Sequence, residues 1–178
     1  LLLSSSHNRS EMKELKYTYA IRDESVAIFE LQELRQQIIG LLEHPTDLSP
    51  SISKLSFSQC IYLLSVYRLE ALRIRNSSTP NFQPLLEYLL DPAVRYDKND
   101  MWALVIRLLE KVFGLFLERV LEQRRDERRD ALLVQHAQFL LTHFNHTLQP
   151  IRRTADKLLS KLVDRFPLVL WNGRVLQT

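Results

Sequence analysis

Three observations in the sequence predict an all-helical fold. Glycine occurs only three times in 178 residues (Gly40, Gly114 and Gly173), while leucine is abundant. That composition argues against all-β folds rich in tight turns and against α/β folds with glycine-rich phosphate loops. Apolar residues return at three- and four-residue steps along successive segments, the period of a helix with one buried face. No segment alternates apolar and polar residues as a half-buried strand would. At 46% hydrophobic and 25% charged residues, the chain has the material for an ordinary core.

The elements follow in order. Glu11–Ile21 is the first helix candidate. Asp23 can cap a second, whose stripe is Ala27, Leu31, Leu34, Ile38 and Leu41. It should end before Pro45, because a residue preceding proline avoids the helical region. "HPTDLSPSIS" then reads as a loop. Ser56, with Gln59 three residues on, forms a capping-box pattern. It opens a helix striped by Cys60, Leu64, Tyr67, Ala71 and Ile74 and ended by "RNSSTPN". Phe82–Leu90 is a short helix stopped at Asp91-Pro92. The longest helix runs from about Asp100 to Glu122, with Trp102, Ile106, Leu109, Phe113, Phe116 and Val120 as its stripe. After "RRDERRD" comes a helix carrying Leu133, Ala137, Leu140 and Phe144. The turn "NHTLQP" leads into another, begun at Pro150 or Ile151, whose apolar positions are Ile151, Ala155, Leu158, Leu162 and Phe166.

These last two helices predict a hairpin over residues 130–170. Within "PIRRTADKLLSKL" the order is proline, apolar residue, arginine, alanine, then leucines, the pattern of the second helix of a HEAT-type repeat. Ala155 shares its stripe with Ile151, Leu158 and Leu162, so its small side chain lets a neighbouring helix come close. Arg152 and Arg153 lie beside or across from that stripe and read as helix-surface or inter-repeat pairing. Lys157 is expected on the exposed face. Earlier hairpins do not repeat the pattern. The expected architecture is therefore an irregular HEAT/armadillo-like α-solenoid segment of about six helices, one unit over residues 1–178.

A formal charge of +3, from 24 basic and 21 acidic residues, does not supply the concentrated basic face that nucleic acid requires. Asp156 and Asp164 interrupt the basic residues of the last helix, which argues against a phosphate hook there. "RRDERRD" holds four arginines and three acids and reads as a solvated, self-pairing surface or turn. The single cysteine, Cys60, excludes an intrachain disulfide, fits a reducing compartment and falls in an apolar stripe as core filler. No apolar run approaches the roughly 20 residues that span a bilayer. "LLLSSS" is too short for a signal-peptide core. With no initiator methionine and a helix starting in "GRVLQT", both ends read as cuts inside a larger protein.

Motifs for chemistry fail on their details. "DKND" (Asp97–Asp100) opens like a calcium loop, but Trp102 stands where glycine is needed and Leu108 where the closing glutamate belongs. A helix N-cap with acidic first-turn residues accounts for it. His136, His143 and His146 have no cysteine or carboxylate to complete a zinc set and read as ordinary polar histidines. Asn76-Ser-Ser78 and Asn145-His-Thr147 are glycosylation triplets of a kind that arises by chance. Nucleotide, hydrolase and kinase signatures are lacking. No catalytic, cofactor-binding or metal residues are assigned.

The blocks "HAQFLL", "FNH", "IRR", "ADK", "LVDRFP" and "LWNG" within His136–Thr178 resemble the helical region N-terminal to the kinase domain in the type III alpha phosphatidylinositol 4-kinase family. "FQPLLEYLLDPAVRYDKNDMW" (Phe82–Trp102) and "EKVFGLFL" (Glu110–Leu117) resemble an upstream part of the same region. The resemblance extends over residues 68–178 and departs from the family around "EQRRDERRD", where the link between helices is shorter.

It implies a parent enzyme that transfers the γ-phosphate of ATP, with Mg, to the 4-hydroxyl of phosphatidylinositol at the plasma membrane. The kinase domain would lie outside this chain, and none of its catalytic residues maps here. The resemblance also implies a cytoplasmic α-solenoid that docks a tetratricopeptide-repeat scaffold and a hyccin-type subunit. A palmitoylated peripheral protein would recruit the complex to the membrane. The alternative is a free-standing helical adaptor that binds membrane or protein partners.

Overall fold

A computed structural model describes residues 28–176, all of whose regular elements are helical. The expected helix at Glu11–Ile21, and the Asp23 and Ala27 positions of the next, lie outside the described residues. The described residues divide into two compact units, with the boundary between Val66 and Tyr67.

In the first unit, α1 (Ile28–Leu41) ends as its stripe predicts. Before Pro45 the chain turns through Glu43 and His44, both left-handed at φ 61° and 55°. Such backbone costs roughly 1–2 kcal/mol per residue in L-amino acids. The stretch expected to be wholly loop contains a one-turn helix, α2 (Ser49–Ser53), with Pro50 in its first turn. Proline suits that place because its missing N–H would have had no helical partner. Arg35 reaches back from α1 to the Leu55 carbonyl, donating from Nε at 3.1 Å and also from Nη2. Ile38, Ile52 and Leu55 are buried.

The capping box of α3 (Phe57–Asn76) is formed in both directions. The Ser56 N–H donates to Gln59 Oε1 at 2.8 Å, and the Gln59 N–H donates to Ser56 Oγ at 3.2 Å. Cys60, Leu64, Ala71 and Ile74 of its expected stripe are buried, and Tyr67 is half-buried. The Cys60 thiol is pushed up to about 11 by burial, with Arg35 pulling weakly the other way. A thiol so held is protonated at neutral pH and is a packing group.

The second unit begins within α3. Its next element, at Gln83–Leu89, is the short helix expected over Phe82–Leu90, wound as a 3-10 helix. Asp91 accepts the Ala93 N–H at 2.8 Å and caps a one-turn helix, α4 (Pro92–Arg95), that the stripe reading did not anticipate.

The longest helix, α5 (Met101–Glu122), begins at Asp100 as expected, yet Asp100 is left-handed (φ 55°) and makes no side-chain capping bond. The nearby Asp97 carboxylate instead takes the Asn99 N–H at 2.7 Å, a turn of the chain before the helix. The buried face of α5 is broader than one stripe. Leu104, Val105, Leu108 and Val112 are buried, while Trp102 and Ile106 are only half-buried. The helix meets the 3-10 segment, α4 and the last long helix, so a single line of residues under-describes it. At the centre Phe82 meets Phe113 edge-on at 4.7 Å and Phe116 at 5.0 Å. Arg119 and Gln123 hold the "RNSSTPN" connection through the Ser77 and Ser78 carbonyls, at 3.5 and 2.8 Å.

Candidate functional site

The predicted hairpin is α6 (Glu127–Thr142), a 3-10 turn (His143–Asn145) and α7 (Gln149–Arg165), with the two helices packed on each other. The charged run "RRDERRD" is not a solvated turn throughout. Asp126 accepts the Arg129 N–H at 3.0 Å, so the helix starts inside the run, and Arg129 is buried. Its guanidinium lies 5.3 Å from the centre of the Phe166 ring. That apolar cover lets an arginine stem pack where the sequence alone suggested surface.

On the facing sides of the pair, Ala137, Leu140, Ile151, Ala155, Leu158 and Leu162 are buried, and Phe166 closes the end. Phe144 falls in the 3-10 turn beyond α6 and is half-buried. Thr154 and Leu159 are also buried, and Thr154 Oγ1 donates to the Pro150 carbonyl at 2.8 Å. That backbone bond lets a threonine enter a stripe from which polarity had excluded it.

The paired arginines separate in role. Arg152 Nη1 donates to two successive carbonyls of the turn, His146 at 2.7 Å and Thr147 at 3.1 Å. Arg153 is exposed. Lys157 has an exposed stem, as expected, but its Nζ lies 2.7 Å from Oε1 of Glu110, a buried residue of α5. Lys161 reaches the other oxygen at 3.4 Å and Arg107 lies 3.7 Å away. This cluster ties α7 to α5 and was missed because Glu110 sits 47 residues before Lys157 in the chain.

The histidines do not converge. His136 is buried between Phe82 and Phe116, its Nδ1 2.7 Å from the Leu132 carbonyl and its Nε2 3.1 Å from Asn81 Oδ1. Burial lowers its pKa, and the backbone bond opposes that more weakly. His143 and His146 stack with ring centres 6.0 Å apart. Among the described residues, no three His, Cys, Asp or Glu side chains are grouped to hold a metal ion.

The fold and this hairpin define a helix-packing protein, its side chains engaged in joining one helix to the next. A family model described as the PI4-kinase N-terminal region matches residues 1–178, and the chain belongs to that family. It is also 29% identical over 145 residues to phosphatidylinositol 4-kinase alpha 1 of Arabidopsis thaliana. That alignment takes in 72% of this chain but 7% of the plant protein, so the chain spans a small part of its curated relative.

Proposed function

We propose that the chain is a non-catalytic α-solenoid scaffold segment of a phosphatidylinositol 4-kinase. The observation that carries this reading is the match of all 178 residues to the N-terminal region of that family. In this reading ATP, Mg and the phosphoryl-transfer groups belong to a kinase domain elsewhere in the parent protein. That domain phosphorylates phosphatidylinositol at the 4-position, while this segment presents helix faces to protein partners. Those partners are a tetratricopeptide-repeat scaffold, a hyccin-type subunit and, through the assembled complex, a palmitoylated anchor at the plasma membrane. The segment itself does not cross the bilayer. No described helix is long and apolar enough to do so.

The test uses the full-length protein with residues 67–176 deleted or disrupted. Co-precipitation of the scaffold and hyccin-type subunits should fall together with recovery at the plasma membrane, while the kinase domain alone keeps basal turnover on dispersed phosphatidylinositol. Flotation with phosphatidylserine-rich vesicles separates the adaptor alternative. Strong, salt-sensitive flotation that requires this segment, with complex assembly unchanged, would overturn the scaffold reading.

A further inference from the structure

Beside the hairpin, α6 and the segment after α7 enclose a cleft of about 410 Å³. Arg125, Arg129 and Asp130, at the start of α6, and Arg165, at the end of α7, line it. Leu133, Val134, Phe166 and Pro167 supply apolar lining. The volume is within the usual range for a binding pocket, roughly 300–1,000 Å³.

Arg129 is the informative residue. It is only 9% exposed, yet its Nε has no hydrogen-bond partner. Its Nη1 donates one long bond, 3.4 Å, to the Gln123 carbonyl. A guanidinium carries five N–H donors in a fixed fork that matches a carboxylate. A buried cation without a counter-ion is costly. The cleft thus presents three arginines against one acid, Asp130, around apolar side chains. On the 3-10 turn that follows (Pro167–Trp171), Leu168 and Trp171 are 81% and 82% exposed and extend the apolar surface.

We propose that this cleft receives an acidic segment of a protein partner that also bears a bulky apolar side chain. A carboxylate pairs with the Arg129 guanidinium at its terminal nitrogens, Nε being closed off, and the apolar group settles against Leu133, Val134 and Phe166. Arg125 and Arg165 hold the flanking acids. The recess favours a peptide over a membrane: the arginine with unused donors is nine-tenths buried, whereas a flat headgroup layer would first meet exposed cations. This proposal rests on the scaffold reading and names the chemistry of one partner contact.

The test is photo-crosslinking of the full-length protein with a diazirine-bearing peptide, EELFEE, beside the uncharged QQLFQQ. Crosslinks to the acidic peptide should map to residues 125–134 and 165–172. Arg129→Gln should weaken capture about tenfold or more, as loss of a charge-assisted bond requires. Arg125→Gln and Arg165→Gln, at exposed positions, should weaken it severalfold without unfolding the chain. They carry the test if Arg129→Gln does not fold. Equal labelling by QQLFQQ, labelling elsewhere, or indifference to all three variants overturns the proposal. Displacement of the peptide by phosphatidylserine vesicles would also overturn it, assigning the cleft to a lipid headgroup. Peptide capture intact, with subunit co-precipitation unchanged when residues 67–176 are disrupted, would sink the scaffold reading alone. The reverse result would sink the cleft alone.

Discussion

Replacing Ala155 by phenylalanine tests the hairpin most directly. Ala155 has no exposed surface and shares its face of α7 with Ile151, Leu158 and Leu162, all buried. That face meets both α6 and α5, so an added phenyl ring has no solvent to enter and must push helices apart or leave its rotamer. Overpacking of this kind costs about 1–3 kcal/mol or more. At about 2–4 °C per kcal/mol for a chain of this size, the melting temperature should fall by about 2–12 °C. Ala155→Gly is the complementary change and should cost about 1 kcal/mol from helix propensity alone. Arg153→Ala, at an exposed position of the same helix, should stay within about half a kcal/mol. The assay is thermal unfolding followed by far-UV circular dichroism, with urea midpoints alongside. A phenylalanine variant that melts with the parent would refute the close packing assigned to Ala155.

Two further predictions concern charge. Lys157→Ala and Lys161→Ala should each cost about half a kcal/mol or less, because both side chains are close to half exposed and the Glu110 carboxylate keeps its remaining partners. The double variant should cost more than their sum, since among the described residues only Arg107 then faces the buried acid; strict additivity in urea unfolding would refute the shared cluster. His136 has a pKa below its ordinary value because burial disfavours the imidazolium. Its stabilising contribution is therefore present above about pH 6.5, the unfolded value, and is lost as pH falls and the unfolded chain takes up the proton. Nitrogen-detected NMR of the ring should find the neutral form in the majority at pH 6.5, and a ring with its midpoint at or above that pH overturns this.

What the sequence disclosed depended on how local the cause was. The Ser56/Gln59 capping box and the α7 stripe were legible because each is complete within a few residues. The α5 face was partly legible. A single stripe chose Trp102 and Ile106, whereas contacts with several elements bury Leu104, Val105 and Leu108 as well. Helix α2 had a local sign, Pro50 behind Leu48, that a loop-like composition masked. Glu110 and Arg129 could not be read at all. Their burial depends on Lys157, Lys161 and Phe166, which only the folded chain brings to them.

Arg152 gives the hairpin a property its stripes do not. Its guanidinium grips main-chain oxygens, those of His146 and Thr147, and carbonyl oxygens are the same whatever side chain a residue bears. The bend between the helices is thus clamped from one side by a group that ignores the spelling of the bend itself. A cation in the first turns of a helix sits at the unfavourable end of the helix dipole, a penalty of about 0.3–1 kcal/mol. Turning back onto the two carbonyls offsets it. The joint therefore behaves as a stapled elbow, held at His146 and Thr147 through bonds that do not read the side chains of those two residues.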